Sequence, residues 1–288
     1  MVEGGVSTST SNSIAYISTE QLAEMIANQS SSKICILNTS VKPENECDVF
    51  REHSKARIPG SRFLDLMVTR DLQSPYPHMM PNQGHFTRMM KALNVRKSQT
   101  VVFYETGKGW FASRAAFMLK AYGHPKVYIL DGNFVKWQKE GREVESDGDD
   151  ADATYLADFD YTLNSDCLLS YERMKEVTAD GSIQIIENRP PPSVEQTGGF
   201  SNSIIVPGPA MLAEDGTIKS ATELQELFAS KGADGTKPMV MTCMAGVLSS
   251  LAYACAIKAG FTGQLYFYDG SWSEFKDKKA KEEAEEGN

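Results

Sequence analysis

Short apolar runs rich in Ile, Val and Tyr recur along the chain at 33–38, 100–105, 127–130, 182–187, 239–243 and 265–268. Each has the length and composition of a buried strand. Between them the apolar positions fall at helical spacing. Ser18 and Gln21 carry the capping-box signature ahead of a helix whose Leu22, Met25 and Ile26 share one face, and Ser220 with Glu223 repeats the device ahead of Leu224, Leu227 and Phe228. Strands that alternate with helices predict an α/β fold with a mainly parallel sheet flanked by helices.

The pattern occurs twice. Ile58-Pro59-Gly60 returns as Val206-Pro207-Gly208, and Leu130-Asp131-Gly132 with Trp137 returns as Tyr268-Asp269-Gly270 with Trp272. Glu105 and Cys243 end equivalent strands 138 residues apart, and Asp131 and Asp269 share that spacing. Two unrelated motifs with one offset indicate an internal duplication. The chain therefore divides into a first domain at 14–143, an acidic linker at 144–166, a second domain at 167–276 and a charged tail at 277–288. The tail reads as a frayed helix.

Composition narrows the function. The 288 residues are 41% hydrophobic and 23% charged, ordinary for a globular protein of about two domains. A net charge of −9 speaks against a nucleic-acid partner. No apolar run is long enough to span a membrane. Residues 1–13 are rich in Ser, Thr and Gly and hold one acid and no base. This argues against a signal peptide or an Arg-rich transit peptide, so the expected location is cytoplasmic. Five scattered cysteines without a C-x-x-C fit a reducing compartment. His53, His78, His85 and His124 show no ligand spacing, so neither a metal nor a cofactor is expected.

Cys243 is the candidate nucleophile. It closes a buried-looking strand, precedes the short loop Met244, Ala245, Gly246, Val247 and Leu248, and is followed by a helical pattern from Ser249. Such a turn aims backbone N–H groups and a helix dipole at the first loop residue, which favours a thiolate and would also hold a persulfide. Cys35 and Cys255 read as core, and Cys47 and Cys167 lie in polar surroundings. A cysteine phosphatase would need an arginine six residues after the nucleophile, where this chain has Ser249.

Four fragments, in order, resemble the tandem rhodanese family of thiosulfate and 3-mercaptopyruvate sulfurtransferases. They are Arg57-Ile58-Pro59-Gly60-Ser61-Arg62-Phe63-Leu64-Asp65, Ser74-Pro75-Tyr76-Pro77-His78-Met79-Met80-Pro81, Thr242-Cys243-Met244-Ala245-Gly246-Val247 and Tyr268-Asp269-Gly270-Ser271-Trp272. The resemblance implies two rhodanese-like domains, of which only the second carries the cysteine. It implies a Cys243 persulfide, His78 as a catalytic relay residue, and Arg189 with Met244, Ala245, Gly246, Val247 and Leu248 around the substrate. The implied partners are a small anionic sulfur donor and a thiol acceptor, protein thiols included. The family's range also admits a mitochondrial address.

Several positions depart from the family pattern. Thiosulfate-specific members carry bases directly after the cysteine, where Met244 and Ala245 stand here. Mercaptopyruvate-specific members carry Gly and Ser, and Ala245 lacks that hydroxyl. The acid that accompanies the histidine aligns with Met67, with Asp65 and Asp71 nearby as substitutes. Of two family arginines, only Arg189 has a match. With no base in the loop, mercaptopyruvate is the favoured donor over thiosulfate, and Arg189 is expected to grip its carboxylate in bidentate fashion. Two readings follow: a sulfurtransferase acting through Cys243, or a weakened rhodanese-like binding or assembly protein.

Overall fold

The computed structural model describes residues 14–28, 33–41, 48–146 and 160–287. Cys47, residues 147–159 of the acidic stretch and residues 1–13 lie outside them. The first sheet contains β1 (Ile14–Ile17), β2 (Ile34–Asn38), β3 (Arg62–Phe63), β4 (Thr100–Tyr104) and β5 (Val127–Leu130), in the order β1-β5-β4-β2-β3. The second contains β6 (Gln184–Glu187), β7 (Ile204–Ile205), β8 (Met239–Thr242) and β9 (Leu265–Phe267), in the order β7-β6-β8-β9. All pairings are parallel. A parallel bridge from Leu168 to Phe267 takes the place of β1 beside β9, so the two sheets share one plan.

Both capping boxes form. Ser18 and Gln21 exchange N–H bonds at 3.0 and 3.1 Å, and Ser220 pairs reciprocally with Glu223. The two-residue strands β3 and β7 are too short for a periodic signal, and β1 has only four residues before its helix. The helix Ser271–Glu286 runs on through most of the expected tail, tied to the second domain by Lys175–Glu282 at 2.7 Å and to the first by Tyr76–Asp277 at 2.7 Å. These anchors keep its last turns helical where charge alone suggests fraying. No helix among the described residues is long and apolar enough to cross a membrane.

The seam between the halves is a core. The helices Trp110–Ala121 and Leu248–Lys258 are apolar on nearly every face, as helices buried on all sides must be. Phe117 stacks on Phe267 at 4.0 Å and meets Tyr253 edge-on at 5.0 Å. One hydrophobic cluster runs from Ile14 and Val101 through these helices to Met241 and Ala259.

Candidate active site

Cys243 lies one residue beyond β8, as Glu105 lies one residue beyond β4. Its backbone leaves the ladder because its partners sit elsewhere. The Cys243 N–H donates to Ser271 Oγ at 3.2 Å, and its carbonyl accepts from the Trp272 N–H at 3.0 Å. Ser271 can serve because it takes a left-handed φ of 50°, as Asn133 does at 53° in the first domain. The loop then turns through Gly246 at φ 79°, where a Cβ would stand 3.0 Å from the Asp269 carbonyl and 3.2 Å from Arg114 Nη1. Cys243 is 2% exposed, and the Ser249 hydroxyl lies 3.5 Å from its sulfur.

The first domain shows what such a loop does with an anion. The Glu105 carboxylate is buried and accepts from the N–H groups of Gly109, Phe111 and Ala112 at 2.7, 2.8 and 3.0 Å. Burial pushes its pKa up against the pull of those donors. A cradle of the kind expected at Cys243 forms here, in the first domain, around the chain's own carboxylate, whereas the contact made to the Cys243 sulfur comes from the Ser249 hydroxyl.

Arg114 organises the second site from the first domain. Its guanidinium donates to Asp269 Oδ1 at 2.7 Å and to the His78 carbonyl, reaches the Gly246 carbonyl at 3.5 Å, and lies over the Phe267 ring. His78 and the cysteine loop therefore meet at one buried arginine, in the segment where the two domains face each other. Sequence reading passed over Arg114, although a charge inside an otherwise apolar helix was its signal.

His78 has a φ of 62° and its ring meets Phe111 edge-on at 5.6 Å. Burial, with the nearby charges of Arg114 and Arg70, pushes its pKa down to about 4, so the imidazole is neutral at neutral pH. The two acids offered as substitutes for Met67 face backbone instead. Asp65 caps the helix Leu66–Thr69, accepting from Met67 N–H at 2.8 Å, and Asp71 accepts from Gln73 N–H at 2.9 Å. Asp269 is the carboxylate whose charge reaches His78.

Arg189 is buried at 2% exposure and its bidentate face is taken. Nε and Nη2 donate to the two oxygens of Glu187 at 2.9 and 2.6 Å, Nη1 to Thr197 Oγ1 at 2.7 Å, and Nη2 also to the Gly198 carbonyl at 3.0 Å. That leaves one N–H, on Nη1, for a ligand. The expected fork around a substrate carboxylate is occupied by Glu187 because a buried guanidinium needs a counter-charge. Glu187, a charge ending a buried strand, was legible but unread.

A cleft of about 510 Å³ opens elsewhere, between Gly107, Lys108 and Asn133 of the first domain and residues 212–216 of the second. It is the duplicate of the Cys243 region on the Glu105 side, and no cysteine is among the residues that line it.

Comparison with known proteins agrees with this architecture. The rhodanese-like domain model matches residues 18–140 and 170–278. The chain is 31% identical over 277 residues to a thiosulfate sulfurtransferase of Gallus gallus, covering 91% of this chain and 93% of that one. It is 30% identical over 276 residues to a 3-mercaptopyruvate sulfurtransferase of Mus musculus, covering 91% of each. Among solved structures it is similar to SseA from Escherichia coli, with a TM-score of 0.79, 26% identity, and coverage of 90% of this chain and 99% of that one. This chain belongs to the rhodanese family of sulfurtransferases, with two rhodanese-like domains in tandem.

Proposed function

We propose that this protein transfers a sulfane sulfur from a small anionic donor to a thiol or cyanide through a persulfide on Cys243. The observation that carries the reading is the matched position of two loops: one holds the Glu105 carboxylate on three N–H groups, and its duplicate presents the Cys243 sulfur one residue beyond the equivalent strand. In the first half-reaction the Cys243 thiolate attacks the donor's sulfur. The new S–S bond forms as the donor's C–S bond breaks, its electron pair leaving as the enolate of pyruvate, which takes a proton from water. That proton passes from water to the enolate by way of His78. An acceptor thiolate then attacks the outer sulfur, and the S–S pair returns to Cys243.

Mercaptopyruvate is the better donor on charge. Neither Met244 nor Ala245 supplies a cation, and the two nearby guanidinium groups are already paired, Arg114 with Asp269 and Arg189 with Glu187. A second donor charge would enter a buried site without compensation. The remaining N–H of Arg189 and the N–H groups of the 244–248 loop receive the single carboxylate, and neutral His78 handles the proton. The binding or assembly reading is favoured by one observation, the burial of Cys243 at 2% exposure.

Incubation with mercaptopyruvate or thiosulfate, followed by intact mass measurement, tests the proposal. Uptake of one sulfur, about 32 Da, on the Cys243 peptide is expected. Stoichiometric uptake by Cys243→Ser would reject the assignment. Steady-state rates that favour thiosulfate would reject the donor preference, and no turnover with either donor would leave the binding reading.

A further inference from the structure

We propose that Ser249 is a catalytic residue of this protein, the hydroxyl that holds the Cys243 sulfur as a thiolate; the inference rests on Cys243 being the nucleophile of the reaction proposed above. Ser249 is fully buried and is the second residue of the helix Leu248–Lys258, with its Oγ 3.5 Å from the sulfur. While the sulfur is a thiol either group is able to donate. Once it is a thiolate, only Ser249 can.

Two comparisons within the chain single this contact out. Serines near helix starts commonly bond back to the carbonyl four residues earlier. Ser250 does so to Gly246 at 2.7 Å, and Ser113 does so to Gly109 at 2.7 Å. Ser249 turns to the sulfur instead. Its counterpart at the 138-residue offset is Phe111, which has no hydroxyl and whose N–H serves the Glu105 carboxylate. The hydroxyl is present in the half with the sulfur and absent from the half with the carboxylate. Ala245 cannot provide one, so Ser249 supplies from the helix what the loop lacks.

The Ser249 proton stays on its oxygen throughout. Charge leaves Sγ when the bond to the donor's sulfur forms, and returns when the acceptor removes that sulfur. The hydrogen bond is therefore strongest at the two thiolate stages. It offsets the burial that disfavours a charge on Cys243.

The test compares the full-length protein with S249A, a substitution that helices accept readily. The thiolate is read from its ultraviolet absorbance, as the difference from Cys243→Ala, at a fixed pH where thiol and thiolate coexist. Loss of one hydrogen bond to a charged group should lower the thiolate-to-thiol ratio about tenfold or more. Single-turnover sulfur uptake should slow less, about threefold, because a more basic thiolate is the stronger nucleophile. An unchanged thiolate signal in S249A overturns the role of Ser249, whatever turnover does. A Ser249-dependent thiolate in a protein that accepts no sulfur supports the hydrogen bond and overturns the proposed function.

Discussion

The backbone N–H of Met80 donates to the Asp269 carboxylate at 2.7 Å, and 138 residues away from each partner the N–H of Ile218 donates to Asp131, also at 2.7 Å. Each domain thus holds a loop of the other through the aspartate of its repeated Asp-Gly motif. The two contacts are unequal in charge. Asp269 also pairs with buried Arg114 at 2.7 Å, whereas Asp131 faces partly exposed Lys258 at 3.6 Å.

Asp269→Ala should therefore destabilise the protein by about 3–5 kcal/mol, because it strands a buried guanidinium. Asp131→Ala should cost about 1–2 kcal/mol, one hydrogen bond and a screened ion pair. Urea denaturation of both variants measures the difference, and equal midpoints would contradict it.

Arg189 and Glu187 should behave as one unit. Arg189→Ala leaves Glu187 buried and unpaired and should cost about 3–5 kcal/mol, while the double variant Arg189→Ala with Glu187→Ala should recover part of that loss. A double-mutant cycle by chemical denaturation reads the coupling; additive losses would show that the pair is not coupled. Activity should be compared only under conditions where the single variant is folded.

His78 makes stability depend on acid. Its folded pKa, about 4, is below the ordinary value of 6.5, so its contribution is complete above about pH 6.5 and is lost as pH falls towards 4. Denaturation midpoints at neutral pH and near pH 4.5 should fall further for the native protein than for His78→Gln. Equal losses would place the acid sensitivity elsewhere.

Cys35 and Cys255 should resist alkylation in the folded protein. Burial pushes their thiols up to about 11 and about 12, so both stay protonated near neutral pH. Peptide mapping after iodoacetamide should find label on Cys243 and none on these two. Label on Cys255 before Cys243 would contradict the contrast between a core thiol and the proposed nucleophile.

The strands, the duplication and the strand-to-helix position of Cys243 were legible because each leaves a local mark: a run of β-branched residues, a fixed offset, a cysteine between two periodic patterns. Contacts made across the seam leave no such mark. Arg114 joins His78 to Gly246 over more than a hundred residues of chain, and nothing in its neighbours names Asp269 as its partner. Arg189 was found by position, but its engagement with Glu187, two residues away, depends on how the strand end turns its side chains inward. Ser249 was noticed as a missing arginine rather than as a hydroxyl. Type and spacing were readable there, and direction was not.

Phe117 against Phe267 and Tyr253 has a consequence for the history of the molecule. A duplicated half with Glu105 where its twin has Cys243 is ordinarily free to drift. Here its long central helix is also the wall on which the other half's helix and sheet are built, and its arginine fastens the other half's loop. Selection on the shape of either half therefore reaches the apolar residues of the other, and neither can drift away without taking the other's shape with it.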